Sequence, residues 1–363
     1  MPASRKPIAR RLLDRDSFRA GVLKRDGCCV ICGRKEGEGW RLDAHHIVER
    51  RLFIHPEEVG GYFLSNGATL CDNGSMESCH LKAEATLISC EEIREKAGIE
   101  EIALPMDLYS DQRYDKWGNP YLSNGQRAKG PLFMDESVQA VLRAGDALLG
   151  FTDWVKHPRT SHLPWSEGAT EDDEFMPNID RFRGAQIVLS AKLDGEQTTC
   201  YTDYLHARAV DGRHSDAQNW VRNFHASWGW QIPKGWRVCG ENMFETHTIK
   251  YRLPTYFFAH SVWNDRNECL SWDETLEWCS LLGLTVVPVL YRGLWDEKLA
   301  RGIYRRELDG NPLEGFVARI AAKFALAEFP VCVGKFVAKE FAGLRDARHG
   351  DRSRERNFLV DSS

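Results

Sequence analysis

A Cys29-Val-Ile-Cys32 pair followed by Gly33 constrains this chain more than any other feature. Two thiols flanking a tight turn can point at one tetrahedral ion. Cys71 and Cys79 offer a second pair, although their spacer exceeds the two to four residues usual in such sites. Most of the remaining Cys are scattered singly, and Cys28 and Cys90 lie just outside this set. No apolar run follows the N-terminus that could act as an export signal, so reduced thiols are expected and metal ligation is favoured for close pairs. Cys29, Cys32, Cys71 and Cys79 are therefore expected to hold structural zinc rather than to be four buried free thiols.

A length of 363 residues suggests two domains or one large one. The 12 Trp and the apolar fraction suffice for packed cores, and the composition is neither disordered nor fibrous. The net charge of −5 gives no global basic field, but a groove can be locally basic on an acidic protein. The first residues are basic (Arg5, Lys6, Arg10, Arg11, Arg15, Arg19, Lys24, Arg25), and Asp14 and Asp16 among them argue against a transit segment. A cytoplasmic protein without a membrane partner is expected.

Glu91–Ala97 is helix-prone, Asp107–Gly130 is rich in turn residues, and Asp135–Leu149 suggests a helix. The domain boundary is placed near residue 145, giving domains 1–145 and 146–363. From Ile187 the pattern turns to strands: Ile187–Leu189, Thr198–Tyr201, Trp236–Cys239, Thr255–Val262, Thr285–Tyr291 and Gly315–Arg319. Helices are expected at Asp273–Leu282 and Ile320–Ala327. The fold class is α+β with much antiparallel sheet. The charged tail Arg345–Arg356 is expected to be a solvated or frayed end.

Between the thiol pairs lie Leu42-Asp43-Ala44-His45-His46-Ile47 and Leu64-Ser65-Asn66-Gly67, and His80 follows Cys79. Together with Phe18-Arg19-x-x-Val22-Leu23-x-Arg25-Asp26-Gly27, these resemble the HNH endonuclease family over roughly residues 10–90. The resemblance implies a ββα-metal fold, a hairpin and a helix around one divalent ion. It implies that His46 is the general base, that His45 and His80 are metal ligands, and that Asn66 orients the base or touches the metal. One ion would stabilise charge on a scissile phosphate while a neutral imidazole takes the proton from water. Members of this family either cut or only bind nucleic acid, and both readings stay open.

Lys192-Leu193-Asp194-Gly195 lies between two expected strands, and Asp194-Gly195 is a turn signal. A lysine at such a strand end, facing a cleft, can attack a phosphorus atom; alone, the tetrapeptide favours a strand-end lysine in solvent. Further motifs follow in order: His206-Ala-Arg208, Arg237-Val-Cys-Gly240-Glu241-Asn242, Thr255-Tyr256-Phe257-Phe258, Leu313-Glu314-Gly315-Phe316-Val317 and Gly334-Lys335-Phe336-Val337-Ala338-Lys339. Upstream stands His162-Leu163-Pro164-x-x-x-Gly168-x-x-x-Asp172-Asp173. Over about residues 150–340 this set resembles the RNA ligases of the covalent nucleotidyltransferase superfamily.

That resemblance implies ATP and Mg²⁺ or Mn²⁺ as cofactors and Lys192 as the nucleophile that becomes a lysyl-adenylate. Arg208 would contact phosphate or the sugar-phosphate backbone, and Glu241 the ribose hydroxyls. Phe257 or Phe258 would stack on adenine; strand alternation lets only one face the pocket. Glu314 would organise metal and nucleophile, and Lys335 would bear on the α-phosphate. The last motif departs from the family: Val337 and Ala338 stand where a second basic residue is usual, and Lys339 would substitute one step later. The segment after Lys339 is short for the barrel that DNA ligases carry there, so RNA ends in a nicked or hybrid duplex are the expected partner.

Overall fold

The computed structural model describes residues 11–37, 39–170, 173–208, 210, 216–342 and 355–360. Arg5, Lys6, Arg10, Asp172 and residues 345–354 of the charged tail lie outside the described residues. The chain divides into two compact units, Met1–Val155 and Lys156–Ser363. Among the described residues, no helix is long and apolar enough to cross a membrane.

In the first unit, helix α1 (Arg15–Asp26) starts where the Asp14 carboxylate accepts from Ser17 N and ends at Gly27, whose φ of 67° suits a residue without Cβ. Strands β1 (Arg41–His46) and β2 (Gly67–Asp72) pair antiparallel, from Arg41↔Asp72 to His46↔Gly67. Strand β2 is buried throughout, and α1 packs over Gly67: a Cβ there would stand 2.4 Å from Val22 Cγ2. Helices α2 (Cys79–Glu84) and α3 (Cys90–Lys96) are capped by Ser78 and Ser89. Strand β3 (Arg127–Lys129), helix α4 (Glu136–Ala144) and strand β4 (Phe151–Val155) complete the unit, with β3 and β4 parallel. The helix expected over Asp135–Leu149 stops at Ala144, because Gly145 follows and Asp146 takes a left-handed φ of 53°.

The second unit runs β5 (Ser161–His162), β6 (Gln186–Lys192), β7 (Glu196–Cys200), β8 (Leu205–His206), α5 (Asp216–Ala226), β9 (Arg237–Asn242) and β10 (Arg252–Leu253). It continues β11 (Phe257–Trp263), β12 (Glu268–Cys269), α6 (Trp272–Leu281), β13 (Val289–Leu294), α7 (Glu297–Gly302), β14 (Glu307–Leu308), β15 (Asn311–Pro312), β16 (Gly315–Ile320), β17 (Phe324–Ala325), α8 (Phe329–Cys332), β18 (Val333–Val337) and β19 (Phe358–Leu359). Among the described residues, two main sheets form, in the orders β17-β12-β11-β9-β7-β8 and β13-β6-β16-β18-β5. Every pairing within them is antiparallel except β18 with β5. The architecture is α+β, as expected.

Among the described residues the chain passes between the two sheets four times, and two of these connections bear on the site. Strand β6 ends at Lys192 in one sheet and β7 begins at Glu196 in the other. The segment leading into β13 does the same: Thr285 O and Val287 N bond to Ala259, then Pro288 O accepts from Ala191 N. One face of β11 joins Phe257, Ala259 and Val262 with Val221, Trp228 and Cys279 in an apolar cluster. The opposite face joins Phe258 with Val188 of β6, Tyr251 and Trp272. A bulge between Ala259 and Ser261 lets Phe257 and Val262 share a face despite their odd spacing.

Two expectations about this unit need correction. Ile320–Ala327 is not a helix: Ile320 closes β16 opposite Ile187, Ala321 N donates to Gln186 O, and Phe324–Ala325 pair with β12. Those cross-strand bonds use the backbone groups a helix would need. At the tail, Glu355 and Arg356 are solvated, as expected, but they are not frayed. Glu355 O accepts from Thr246 N, and the Arg356 guanidinium lies 4.8 Å over the Phe244 ring. The buried Asn357 anchors them by bonding Tyr251 N, Met243 O and Glu245 O.

Candidate active site

Lys192 stands at the last position of β6, where the chain leaves one sheet for the other. The turn is fixed by its own motif. The buried Asp194 carboxylate accepts from Thr248 N at 2.6 Å and Ile249 N at 3.2 Å, and Asp194 N donates to the Tyr251 hydroxyl at 3.2 Å. Gly195 N donates to Glu241 Oε1 at 3.2 Å. A Cβ on Gly195 would stand 2.5 Å from Met243 Sδ and 2.6 Å from Asn242 O, so the motif requires glycine here. Gly195→Ala is expected to cost at least the 1–3 kcal/mol typical of overpacking, measurable as a lowered denaturant midpoint.

Lys192 Nζ donates to Glu314 Oε2 at 2.5 Å, and both side chains are largely buried. Glu314 immediately precedes β16, whose Gly315 faces Lys192 across the ladder. Any side chain on Gly315 would strike Phe336 O, 1.9 Å from an added Cβ. Lys335 pairs with Val317, and Val317 with Ser190, so Lys335 and Lys192 share one face of the sheet. Burial pushes the Tyr251 hydroxyl up, and the carboxylates of Asp194, Glu314 and Glu241 add to that; all three gather round it.

The upstream loop closes over Lys335. Strand β5 sets His162 beside Lys335, and the buried His162 ring bonds Ser166 Oγ at 2.7 Å. Asp173 Oδ1 lies 3.4 Å from His162 Nε2 and 3.8 Å from Lys335 Nζ. Burial opposes ionisation of Asp173, but bonds from His162 and Thr170 and the charge of Lys335 outweigh it and hold the carboxyl well below the usual range.

Glu241 and Phe258 are opposite partners on β9 and β11 and therefore share a face, the face that packs toward β6. Phe257 points into the other core, near Phe224 and Trp228. Arg208 is exposed, two residues after β8. Lys339 is exposed at the start of a 3-10 turn and takes no part in the ion pairs joining Lys192, Glu314, Lys335 and Asp173. Val337 is buried opposite Gly315, its N–H held by Ser166 Oγ and its carbonyl by Gly168 N.

In the first unit the four thiols at Cys29, Cys32, Cys71 and Cys79 come within 4.8 Å of one another, with 3.6 Å between Cys32 and Cys71. Burial pushes the Cys29 and Cys79 thiols up. His45 and His80 meet edge-on at 5.1 Å, and with Glu84 they offer three ligand atoms within 4.8 Å. Glu84 Oε1 lies 3.3 Å from His45 Nδ1 and 3.7 Å from His80 Nε2. The buried Lys116 Nζ is 3.1 Å from the same oxygen and donates to His46 O at 2.8 Å. His46 stacks on Phe18 at 4.6 Å and meets Tyr62 edge-on at 5.4 Å. Burial lowers His46 to about 4 and His45 well below its ordinary value, so both rings are neutral at neutral pH. Asn66 is fully committed to backbone: its Oδ1 accepts from Val48 N, and its Nδ2 donates to Val48 O and Gly61 O. It pins the chain just past His46.

Sequence reading missed Glu84, Lys116, Arg159 and the role of Asp173. Glu84 stands four residues after His80, one helical turn along α2, and that spacing could have found it. Nothing local marks Lys116.

Residues 185–339 match the RNA ligase family. No curated protein matches the chain. Among solved structures, the chain is similar to the Naegleria gruberi RNA ligase with PPi, at 19% identity and a TM-score of 0.38 over 48% of this chain and 55% of that one. A lysine-to-alanine mutant of the same Naegleria gruberi ligase with ATP and Mn is similar at 15% identity and a TM-score of 0.39, over 54% of this chain and 59% of that one. The chain thus spans little more than half the length of these structures. The second unit carries an RNA ligase family domain, spanning residues 185–339.

Proposed function

We propose that the second unit is an ATP-dependent RNA ligase that joins 3′-OH and 5′-phosphate ends. The supporting observation is the Lys192–Glu314 contact at an inter-sheet corner, with Lys335 on the same face. In the first step the Lys192 amine attacks the α-phosphorus of ATP. An N–P bond forms, the α–β P–O bond breaks, and pyrophosphate leaves with that electron pair. The lysine proton must depart first, and Glu314 is the base that already holds it. Lys335 offsets charge building on the α-phosphate. In the second step an RNA 5′-phosphate oxygen displaces Lys192 from the adenylate. In the third the 3′-OH attacks that phosphate and AMP leaves.

Glu241 suits the ribose hydroxyls, and Phe258, on its face, suits the adenine ring. Arg208 would contact the RNA backbone. The carboxylates of Glu314 and Glu241 are hard oxygen donors that fit Mg²⁺ or Mn²⁺, and Glu314 would help hold the ion. Bound there, the ion would supply charge neutralisation at the phosphates. Phe258→Ala should raise the KM for ATP about tenfold, as expected for lost ring stacking and area. Phe257→Ala should lower stability by about 3–5 kcal/mol and leave that KM within twofold. Equal KM changes in both variants would sink the assignment of Phe258.

For the first unit we propose a ββα-metal module of the HNH type, built on β1, β2 and α2. Four thiols converging within 4.8 Å suit structural zinc. His45, His80 and Glu84 suit a second divalent ion. Ring nitrogens of His45, His46 and His80 lie buried without a hydrogen bond, a cost of about 1–3 kcal/mol each that an ion and its water would remove. His46 would be the general base and Asn66 its positioning residue. The module either cuts nucleic acid or only grips it for the ligase, and a nicked or hybrid duplex with RNA on the 3′-OH side is the proposed substrate.

Two assays test these readings. Nicked RNA, DNA and hybrid duplexes and single strands, offered with ATP and Mg²⁺, should show sealing at RNA 3′-OH ends. Failure on every substrate would overturn the ligase reading. Metal-dependent nicking should fall at least a hundredfold in His46→Ala. Equal nicking by both proteins would leave the module as a binder.

A further inference from the structure

Strand β18 carries one phosphate-facing cation where the family pattern has two. Val337, two residues after Lys335 and on its face, is walled in by Gly315, Ser166 and Gly168. Lys339 lies beyond the strand in an exposed turn. A second cation nevertheless stands beside Lys335, brought by the segment before β5. Arg159 Nη2 lies 3.6 Å from Asp173 Oδ1, the oxygen that also draws His162 Nε2 and Lys335 Nζ, and its Nη1 lies 3.8 Å from Glu174 Oε1. The other Asp173 oxygen is held by Thr170 N at 3.0 Å and Thr170 Oγ1 at 3.1 Å. One carboxylate oxygen is thus ringed by three basic groups at 3.4–3.8 Å. Charge-assisted bonds usually run about 2.7–2.9 Å. The ring is wider than a single carboxylate oxygen fills, and it matches a larger, more highly charged anion.

We propose that Arg159 is a phosphate-binding residue of the ligase site, supplying from the upstream loop the second cation that β18 lacks. Asp173 occupies the anion position in the nucleotide-free protein and yields Lys335 and Arg159 to the phosphates when ATP enters. This rests on the ligase reading above. Lys335 and Lys192 share a sheet face, so Lys335 meets the α-phosphate. Arg159, which reaches the same Asp173 oxygen as Lys335 and lies on no strand of that sheet face, meets the β- and γ-phosphates that leave as pyrophosphate. A guanidinium fork suits two phosphate oxygens at once.

The test separates steps that need a triphosphate from the one that does not. Full-length wild type, Arg159→Ala and Arg159→Lys are compared in three assays. These are adenylation by ATP, discharge of the purified adduct by pyrophosphate, and sealing of RNA already carrying a 5′-adenylate. The expected result for Arg159→Ala is a KM for ATP raised at least tenfold and pyrophosphate discharge slowed at least tenfold. Sealing of pre-adenylated RNA should change less than twofold, and Arg159→Lys should recover part of the first two. Unchanged ATP and pyrophosphate kinetics in Arg159→Ala, or an equal loss in all three assays, would overturn the proposal while the ligase reading stood. Absence of adenylation in wild type would overturn both.

Discussion

Lys192→Ala will take up no label from ATP tagged at the α-phosphate, a loss of at least a thousandfold, whereas wild type will carry one AMP on Lys192. Among the described residues, no other lysine shares its sheet face and its 2.5 Å contact with Glu314. Removing the amine removes the atom that forms the N–P bond, so no residual route to the adduct exists. The variant also leaves Glu314 buried without its counter-ion, at a cost of about 3–5 kcal/mol. Lys192→Met combined with Glu314→Gln removes both charges and controls for that loss. Both proteins should be unlabelled, and the double variant should melt closer to wild type. Label on Lys192→Ala, located by peptide mass, would remove the basis of the ligase reading. Glu314→Gln alone should slow adduct formation at least a hundredfold, because the lysine proton then lacks its nearest acceptor.

Removing the zinc proposed for the first unit is expected to unfold it. Cys29, Cys71 and Cys79 are part of its apolar core, so the proposed ion sits inside the packing. Binding energies for structural zinc of about 10–16 kcal/mol exceed the stability of most single domains. Burial keeps Cys29 and Cys79 protonated in the absence of metal, so binding must release protons and weaken as pH falls. Purified protein should contain one zinc per chain at this cluster. Cys71→Ser should lose it and expose the segment between β1 and α2 to protease. Zinc-free protein with an unchanged melting curve would refute this, leaving four buried thiols.

Much of the second unit was legible because its motifs ride on strands. Lys192 closes a strand, Glu241 stands next to a strand end, Glu314 immediately precedes a strand and Lys335 lies within one, so each motif keeps its linear spacing in the fold. The choice between Phe257 and Phe258 was not legible, because both are apolar and buried; it depends on which sheet face packs toward β6. Ile320–Ala327 misled because it is rich in the strong helix former Ala (Ala321, Ala322, Ala325, Ala327), while cross-strand bonds to Gln186 and β12 claim the backbone. In the first unit the thiols announced themselves by spacing. Lys116 could not, since it reaches Glu84 and His46 only through the fold.

The inter-sheet corner at Lys192 has a consequence for how this motif tolerates change. Of its four residues, one carries the reactive amine. Asp194 rivets the turn to the backbone of Thr248 and Ile249, and Gly195 lets Glu241 and Met243 crowd against it. Substitution tolerance should therefore be uneven in kind: Lys192 variants fold and fail to react, Gly195 variants lose rigidity first, and Leu193 is free to vary among apolar residues of similar volume. The tetrapeptide works less as a reaction signature than as a rigid mount, with Asp194 and Gly195 setting the aim of Lys192.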